Sequence, residues 1–277
     1  MPHPLIRSRR PAARSILTVL LLAAALPLTC GSTAVAADMA SPMANKAAAA
    51  SPPPYQWTGC YAGANGGVGA ASSNFNTTVA PGTYLGAADA ATVSQDGSGS
   101  HNNSNALGGG QLGCNWQVGT IVVGLEGDYD YFRNTSAFYN NTNAPLTNGA
   151  SFVTGESLTS SFLATVRPRL GIAADRNFAY VTAGVAFSAA DYTESYADAT
   201  PAAGGASVSK NLTGWVAGAG WEYAWTDHWI VRLEYLYAAF PNTTLNGTIT
   251  TVGASNPFHG SADLTLQVVR GGLNFKF

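Results

Sequence analysis

Leu266-Gln267-Val268-Val269-Arg270-Gly271-Gly272-Leu273-Asn274-Phe275-Lys276-Phe277 closes the chain. Gln267, Val269, Gly271, Leu273, Phe275 and Phe277 share one parity, and their face turns apolar and aromatic toward the terminus. Val268, Arg270, Gly272, Asn274 and Lys276 form the other face. Such alternation is the period of a β-strand. On a water-soluble domain nothing would cover a terminal aromatic ladder. Lipid would cover it, so the segment reads as the closing strand of a transmembrane β-barrel.

The opposite end predicts export. Arg7, Arg9, Arg10 and Arg14 precede the apolar run Ile16 to Leu28, and small residues follow to Ala37, the three regions of a secretory signal peptide. Cleavage fits after Ala36 or after Ala37. The apolar run is too short to cross a bilayer as a helix. Cys30 suggests a lipid anchor, but Thr29 before it fits a lipobox poorly, so the reading adopted is cleavage that discards Cys30. Residues 1–37 are expected to be removed. Residues 38–56, with Ser51-Pro52-Pro53-Pro54, should form a flexible periplasmic leader, and 57–277 the barrel.

Composition narrows the class. Without residues 1–37 the chain keeps nine basic and 15 acidic side chains, a net charge of −6. Charged residues make up 10%, where a soluble globular protein carries about 25%. No run of apolar residues beyond the signal is long enough for a membrane helix. An all-β chain remains, either a secreted sandwich or a barrel.

Eight alternating segments decide between them, at roughly 57–70, 106–118, 120–132, 157–173, 178–189, 211–225, 229–240 and 264–277. The connections at 119, 174–177 and 226–228 are tight, whereas 71–105, 133–156, 190–210 and 241–263 are long and polar. A sandwich has no reason to sort its loops. An eight-stranded antiparallel up-and-down barrel does, with short periplasmic turns, long outer loops and both termini in the periplasm of an outer membrane. Within the segments, Ile121, Val123, Leu125, Tyr129 and Tyr131 oppose Glu126, Asp128 and Asp130. Val166, Leu170 and Ile172 oppose Arg167 and Arg169, while Trp215, Trp221 and Tyr223 oppose Glu222, and Val231, Leu233 and Tyr235 oppose Arg232 and Glu234. The charged face must be the inside. The expected lumen then holds Glu126, Asp128, Asp130, Glu222 and Glu234 against Arg167, Arg169, Arg232, Arg270 and Lys276. An eight-stranded barrel is just wide enough for its side chains to fill, and buried charges are costly unless paired. The same groups could instead line a permeation path.

Trp57-Thr58-Gly59-Cys60-Tyr61-Ala62-Gly63, Gly109-Gly110-Gln111-Leu112-Gly113-Cys114-Asn115-Trp116 and Gly124-Leu125-Glu126-Gly127-Asp128 resemble the alphaproteobacterial outer-membrane protein β-barrel family. So do Thr165-Val166-Arg167-Pro168-Arg169-Leu170-Gly171, Tyr180-Val181-Thr182-Ala183-Gly184, Glu222-Tyr223-Ala224-Trp225-Thr226-Asp227 and the terminal Arg270 to Phe277. The resemblance covers about residues 57–277. It implies a small barrel tied to envelope integrity and surface exposure, porin-like or immunogenic in label, with no cofactor, no metal and no defined enzyme reaction. Leu273, Phe275 and Phe277 are expected to be the signal read by the barrel-assembly machinery.

Two departures from the family stand out. Pro168 replaces a usual glycine and, lacking an N–H, predicts a local break in the fourth strand. Cys60 and Cys114 replace aromatic residues on neighbouring antiparallel strands. Facing side chains there lie about 4.5–5.5 Å apart in an oxidising compartment, so they form either a cross-strand disulfide or two lipid-facing thiols. No histidine stands near to complete a zinc site.

Trp57, Trp116, Trp225 and Trp229 fall near strand ends and are expected to form an aromatic girdle, core packing being the alternative. The outer loops carry Asp89, Asp96, Glu156, Asp191, Glu194, Asp198 and Asp263 against Arg133 and Lys210, which argues against nucleic acid. Asn76, Asn134, Asn242 and Asn246 match the glycan triplet by chance composition. His101, His259 and Asp263 could serve a hydrolase, yet no spacing marks a nucleophile. Gly108-Gly109-Gly110 lacks the following Gly-Lys-Ser/Thr of a phosphate loop. The leading expectation is a monomeric structural barrel in contact with outer-membrane lipid and lipopolysaccharide, and through its loops with host or phage. A narrow channel and a lipid-acting enzyme are the alternatives.

Overall fold

The computed structural model of the chain describes residues 54–140, 145–200 and 202–277. The signal peptide expected over 1–37, with Cys30, and residues 38–53 of the leader expected over 38–56 lie outside these residues. Eight strands follow in order: β1 (Gly59–Val79), β2 (Gly99–Val118), β3 (Ile121–Asn140), β4 (Phe152–Ala174), β5 (Asn177–Asp198), β6 (Ala203–Ala224), β7 (Trp229–Thr251) and β8 (Ala254–Lys276). Each pairs antiparallel with its neighbour, and β8 closes on β1. One helix, α1 (Ala87–Asp96), lies between β1 and β2.

The strand count agrees with the sequence, but the lengths do not. Strands of 20 to 23 residues run far into the segments expected to be long loops. At that end β5 and β6 are joined by residues 199–202, and β7 and β8 by Val252 and Gly253 alone. The reason is a reversal of polarity along the barrel. In the half nearer the short turns, apolar side chains such as Leu112, Val123, Leu125, Leu170, Val181, Leu233 and Leu273 point outward and are exposed. On β3 this belt runs from Ile121 to Tyr131, the roughly 9–11 residues that cross a bilayer as a strand. Above it the outward positions turn polar (Thr135, Asp191, Ser207, Asn211, Asn246). The inward ones there become apolar: Phe75, Phe132, Phe152, Leu158, Leu212, Leu245 and Phe258 form one buried core. The lower half is therefore built for lipid outside, and the upper half, the crown, for water outside.

Register shifts hide this continuity, among them a lapse of the β6–β7 pairing between Gly204 and Trp215. The β3–β4 and β4–β5 registers both shift near Ser160 to Ala164, and the β7–β8 register shifts between Phe240 and Thr243. Across each, the buried parity changes, from Ser160 to Leu163 and Thr165 on β4 and from Phe240 to Thr243 and Leu245 on β7. Such bulges add one unpaired residue, and Pro241, which has no N–H to donate, sits at the second. The break expected at Pro168 is smaller. Pairing with β5 lapses at Arg167 and Pro168 but resumes in the same register at Arg169.

The crown is closed by α1 and the segment before it. Leu85, Ala90 and Val93 are buried against the crown core. Asn256 of β8 pins the segment. Its Oδ1 accepts from the amides of Tyr84 and Leu85 at 3.2 and 2.8 Å, and its Nδ2 donates to the carbonyls of Ala80 and Leu85, both at 2.9 Å. Asn256→Ala orphans these groups, at a cost of about 1–3 kcal/mol each where they stay buried. Hydrogen exchange at Tyr84 and Leu85 should therefore quicken by roughly tenfold or more, with amides of the lower strands unchanged. Unchanged protection at Leu85 would show that helix packing alone holds the lid.

Candidate functional site: the charged lumen

Register brings the charged residues together. Glu126 and Arg167 are cross-strand partners on β3 and β4, Glu222 and Arg232 on β6 and β7, and Glu234 and Arg270 on β7 and β8. All six side chains point inward and are buried. Arg167 lies 2.8 Å from Glu126, 2.7 Å from Asp128 and 3.3 Å from Glu234. Arg270 reaches Asp128 at 3.1 Å and Glu234 at 2.7 Å, and also pairs with Asp130. Arg169 meets Glu222 at 2.7 Å. Arg232 of β7 spans the lumen to β3, its two terminal nitrogens donating to Glu126 at 2.5 and 2.7 Å. This is a bidentate guanidinium–carboxylate fork.

Aromatic rings fill what the charges leave. Tyr61 donates to Glu126 at 2.5 Å and Tyr180 to Glu234 at 2.9 Å. The Arg169 guanidinium lies 4.8 Å from the Tyr61 ring, 5.1 Å from Tyr180 and 5.4 Å from Phe178, a cation–π arrangement. Glycines make the room. A Cβ on Gly113 would stand 2.4 Å from the Tyr61 hydroxyl, and one on Gly220 would stand 2.4 Å from the Tyr180 ring. Beside the ions, Asn65, Gln111 and Asn274 form an amide chain, Asn65 to Gln111 at 2.8 Å and Gln111 to Asn274 at 2.6 Å. The sequence reading had not singled these amides out. Their signal was parity, since all three stand on inward-facing positions.

Two residues assigned from sequence stand elsewhere. Lys276 does not join the network, which therefore holds five carboxylates and four arginines. Its Nζ donates to the Gln56 carbonyl and lies 4.6 Å from the Tyr55 ring, at the last rung of β8 where the lumen ends. Trp57 is not part of a girdle. It is 1% exposed, and its ring sits 5.1 Å from Phe178 inside the base of the barrel. Its Nε1 donates to the Asp175 carbonyl at 3.0 Å, and its amide to Gln117 Oε1 at 2.7 Å. The Tyr55 amide reaches Asp175 Oδ1 at 3.2 Å, and Asp175 adopts φ of 49° in the β4–β5 turn, a left-handed conformation that aspartate tolerates better than most residues. Tyr55, Gln56 and Trp57 thus fold across the barrel mouth instead of continuing a free leader. The shared odd parity of Tyr55, Trp57 and the inward Tyr61 carried that information.

Trp116, Trp225 and Trp229 do point outward and are exposed, as are Leu273, Phe275 and Phe277. Cys60 and Cys114 are cross-strand partners joined by a disulfide, between outward-alternating positions of β1 and β2. Of the acidic residues assigned to outer loops, Glu156 and Glu194 turn inward and are buried. Asn134, one of the triplet asparagines, is also buried and accepts from Asn105 at 2.7 Å. Gly108, Gly109 and Gly110 lie within β2.

Sequence comparison with known proteins agrees with this architecture. The family described as outer membrane protein beta-barrel domain matches residues 24–258. The chain is 32% identical to the 31 kDa outer-membrane immunogenic protein of Brucella melitensis, over 88% of this chain and 94% of that one. It is 28% identical to the 25 kDa outer-membrane immunogenic protein of Brucella abortus, over 61% and 64% of the two chains. Among solved structures, the outer membrane protein OprG of Pseudomonas aeruginosa aligns with a TM-score of 0.42 at 13% identity, covering 80% of this chain and 98% of that one. The outer membrane protease OmpT of Escherichia coli aligns at 0.41 and 9%, covering 82% and 99%. Belt, closed ladder and matched sequence lead to one assignment: the chain belongs to the outer membrane protein beta-barrel domain family and is a protein of the bacterial outer membrane.

Proposed function

We propose that this protein is a non-conducting structural barrel that braces the envelope and carries its crown above the membrane. Both termini and the short turns would face the periplasm. The observation that supports the reading is the side-chain filling of the lumen at three levels. Tyr55 and Trp57 cross the base, the Arg232–Glu126 fork bridges opposite walls, and the apolar core under α1 fills the crown. Acid–base groups held in such a space have no substrate route, so the reading is non-enzymatic. The lower belt would meet outer-membrane lipid, the crown would meet lipopolysaccharide, host or phage, and the exposed Leu273, Phe275 and Phe277 would be read by the assembly machinery. A monomer suffices for all of this.

Planar-bilayer recording of the refolded protein tests the reading, with heat-modifiable gel mobility confirming that it is folded. Folded protein is expected to pass no measurable current. Steady small conductance that changes on replacing Glu126 or Arg232 would make the charged lumen a pore and overturn the structural assignment.

A further inference from the structure

Two carboxylates in the crown lack the cation that every mid-barrel carboxylate has. Glu156 of β4 and Glu194 of β5 are cross-strand partners, and both are inward and buried, at 1% and 4% exposure. Side chains that face each other across such a pair lie about 4.5–5.5 Å apart. Glu194 accepts from Thr77 Oγ1 at 2.7 Å and from the Tyr192 hydroxyl at 3.1 Å. Neither oxygen of Glu156 accepts a hydrogen bond from a neighbouring residue. Among the described residues no lysine or arginine forms an ion pair with either carboxylate. The surrounding walls do not compensate. Asp96 of α1 adds a further negative charge beside Glu156. His259 of β8 acts on Glu194 from the exposed outer face, where solvent and salt screen it. His101 of β2 packs near Phe75, ring centroids 6.2 Å apart. Asp198, further up β5, is held by Tyr196 at 2.9 Å and Thr200 at 2.6 Å. Arg133 of β3 and Lys210 of β6 are exposed, and β1 carries no charged side chain.

The pair is joined to the lid through β1. Thr77, whose hydroxyl donates to Glu194, gives its amide to Ser98 Oγ just beyond α1 at 3.1 Å. The Val79 amide goes to Ser94 Oγ within α1 at 2.8 Å. Glu194 and Val93 of the lid share the wall of a cavity of about 10 Å³ with Val79, Ile249 and Phe258. That is room for about one water-sized sphere, too little to hydrate two carboxylates. Thr154 borders the same cavity, two positions from Glu156 on the same inward face. It is 3% exposed and its hydroxyl has no partner. Asp96 ends α1, where the helix dipole is itself negative, and no basic residue occupies the last turn. Like charges in a dry space of this kind cannot all ionise while the space stays dry.

We propose that the crown lid is a proton-controlled latch: α1 stays seated while Glu156 and Glu194 keep a proton between them, and is released when both ionise and draw in water. Burial, reinforced by the charges of Glu194 and Asp96, pushes the Glu156 carboxyl up to about 8. Burial also raises Glu194. In an opened, hydrated crown Glu156 returns toward its usual 4.5. Between those two values the closed crown holds a proton that the open one gives up. Closure is therefore fully favoured below the lower value and weakens as pH climbs to the upper one. The latch concerns the crown alone and stands whether or not the lumen conducts.

Hydrogen exchange on the folded protein in detergent, corrected for the intrinsic effect of pH, tests it. The amides of Thr77 and Val79 report the lid's bonds to β1, and those of Ala90 and Gly97, bonded to the Gly86 and Val93 carbonyls, report α1 itself. Their opening is expected to rise at least about tenfold from pH 5 to pH 8, with belt amides such as Val123 and Leu125 unchanged. The double variant Glu156→Gln, Glu194→Gln, shown to be folded by gel mobility, should remove the rise, and each single variant part of it. Asp96→Asn lies outside the buried pair and should shrink the rise, which keeps the test open if the glutamine variants fail to fold. Equal lid protection at both pH values in wild type would overturn the latch. So would a rise shared by the belt, or one undiminished in the folded variants.

Discussion

Arg167→Met is expected to lower the stability of the barrel by about 3–5 kcal/mol, the usual consequence of removing one member of a buried ion pair. The Arg167 side chain is fully buried and serves Glu126, Asp128 and Glu234 together. Methionine keeps most of the volume, so packing changes little. What changes is that Asp128 keeps only Arg270, at 3.1 Å, and a hydrogen bond from Thr165 at 2.6 Å. The readout is the temperature at which the fast-migrating folded band converts to the unfolded one, together with urea titration in lipid vesicles. Pairing the change with Asp128→Asn removes the stranded charge and should restore part of the loss, since contacting residues do not add. Wild-type melting in Arg167→Met would show that the carboxylates do not depend on it, and the internal network would lose its stabilising role.

Removing the Cys60–Cys114 bond should have a comparable effect by another route. The bond closes a loop whose ends are 54 residues apart, and constraining a loop of that size in the unfolded chain is worth about 4 kcal/mol in the chain-entropy treatment. The pair Cys60→Ser and Cys114→Ser should therefore unfold at lower urea, and reductant should move wild type to the same midpoint. Unchanged midpoints in both experiments would mean that the unfolded β1–β2 segment is already held together by other contacts.

Much of this architecture was legible because the lower barrel obeys one rule, apolar outward and charged inward at period two. Val123 against Glu126, or Leu233 against Arg232, announces both the face and the solvent. Parity alone puts Arg167, Arg232 and Arg270 inside, and all three are buried. The crown obeys the opposite rule, and bulges at Ser160 to Ala164 and at Pro241 break the phase where the rules meet. A reading that expects lipid outside sees polar loops there, and Glu156 and Glu194 then pass for surface acids. Trp57 was misplaced for a related reason. An aromatic near a strand end suits a girdle and a plug equally well, and only the inward parity it shares with Tyr61 separates the two. Lys276 shares the parity of Arg270 but lies at the last rung, where the lumen ends and the Gln56 carbonyl is the nearest acceptor.

The hairpin joining β7 to β8 turns on Val252 and Gly253 alone, with Val252 91% exposed. From Phe240 to Thr251 the strand climbs about twelve residues, which at a usual strand rise and barrel tilt lifts the tip roughly 30 Å above the lipid belt. The crown beneath has its own core, so the tip stands on a packed pedestal. With the crown facing outward as proposed, a foreign peptide grafted between Val252 and Gly253 would be held clear of the membrane surface, without the slack of a loop and without touching the part of the molecule that anchors it.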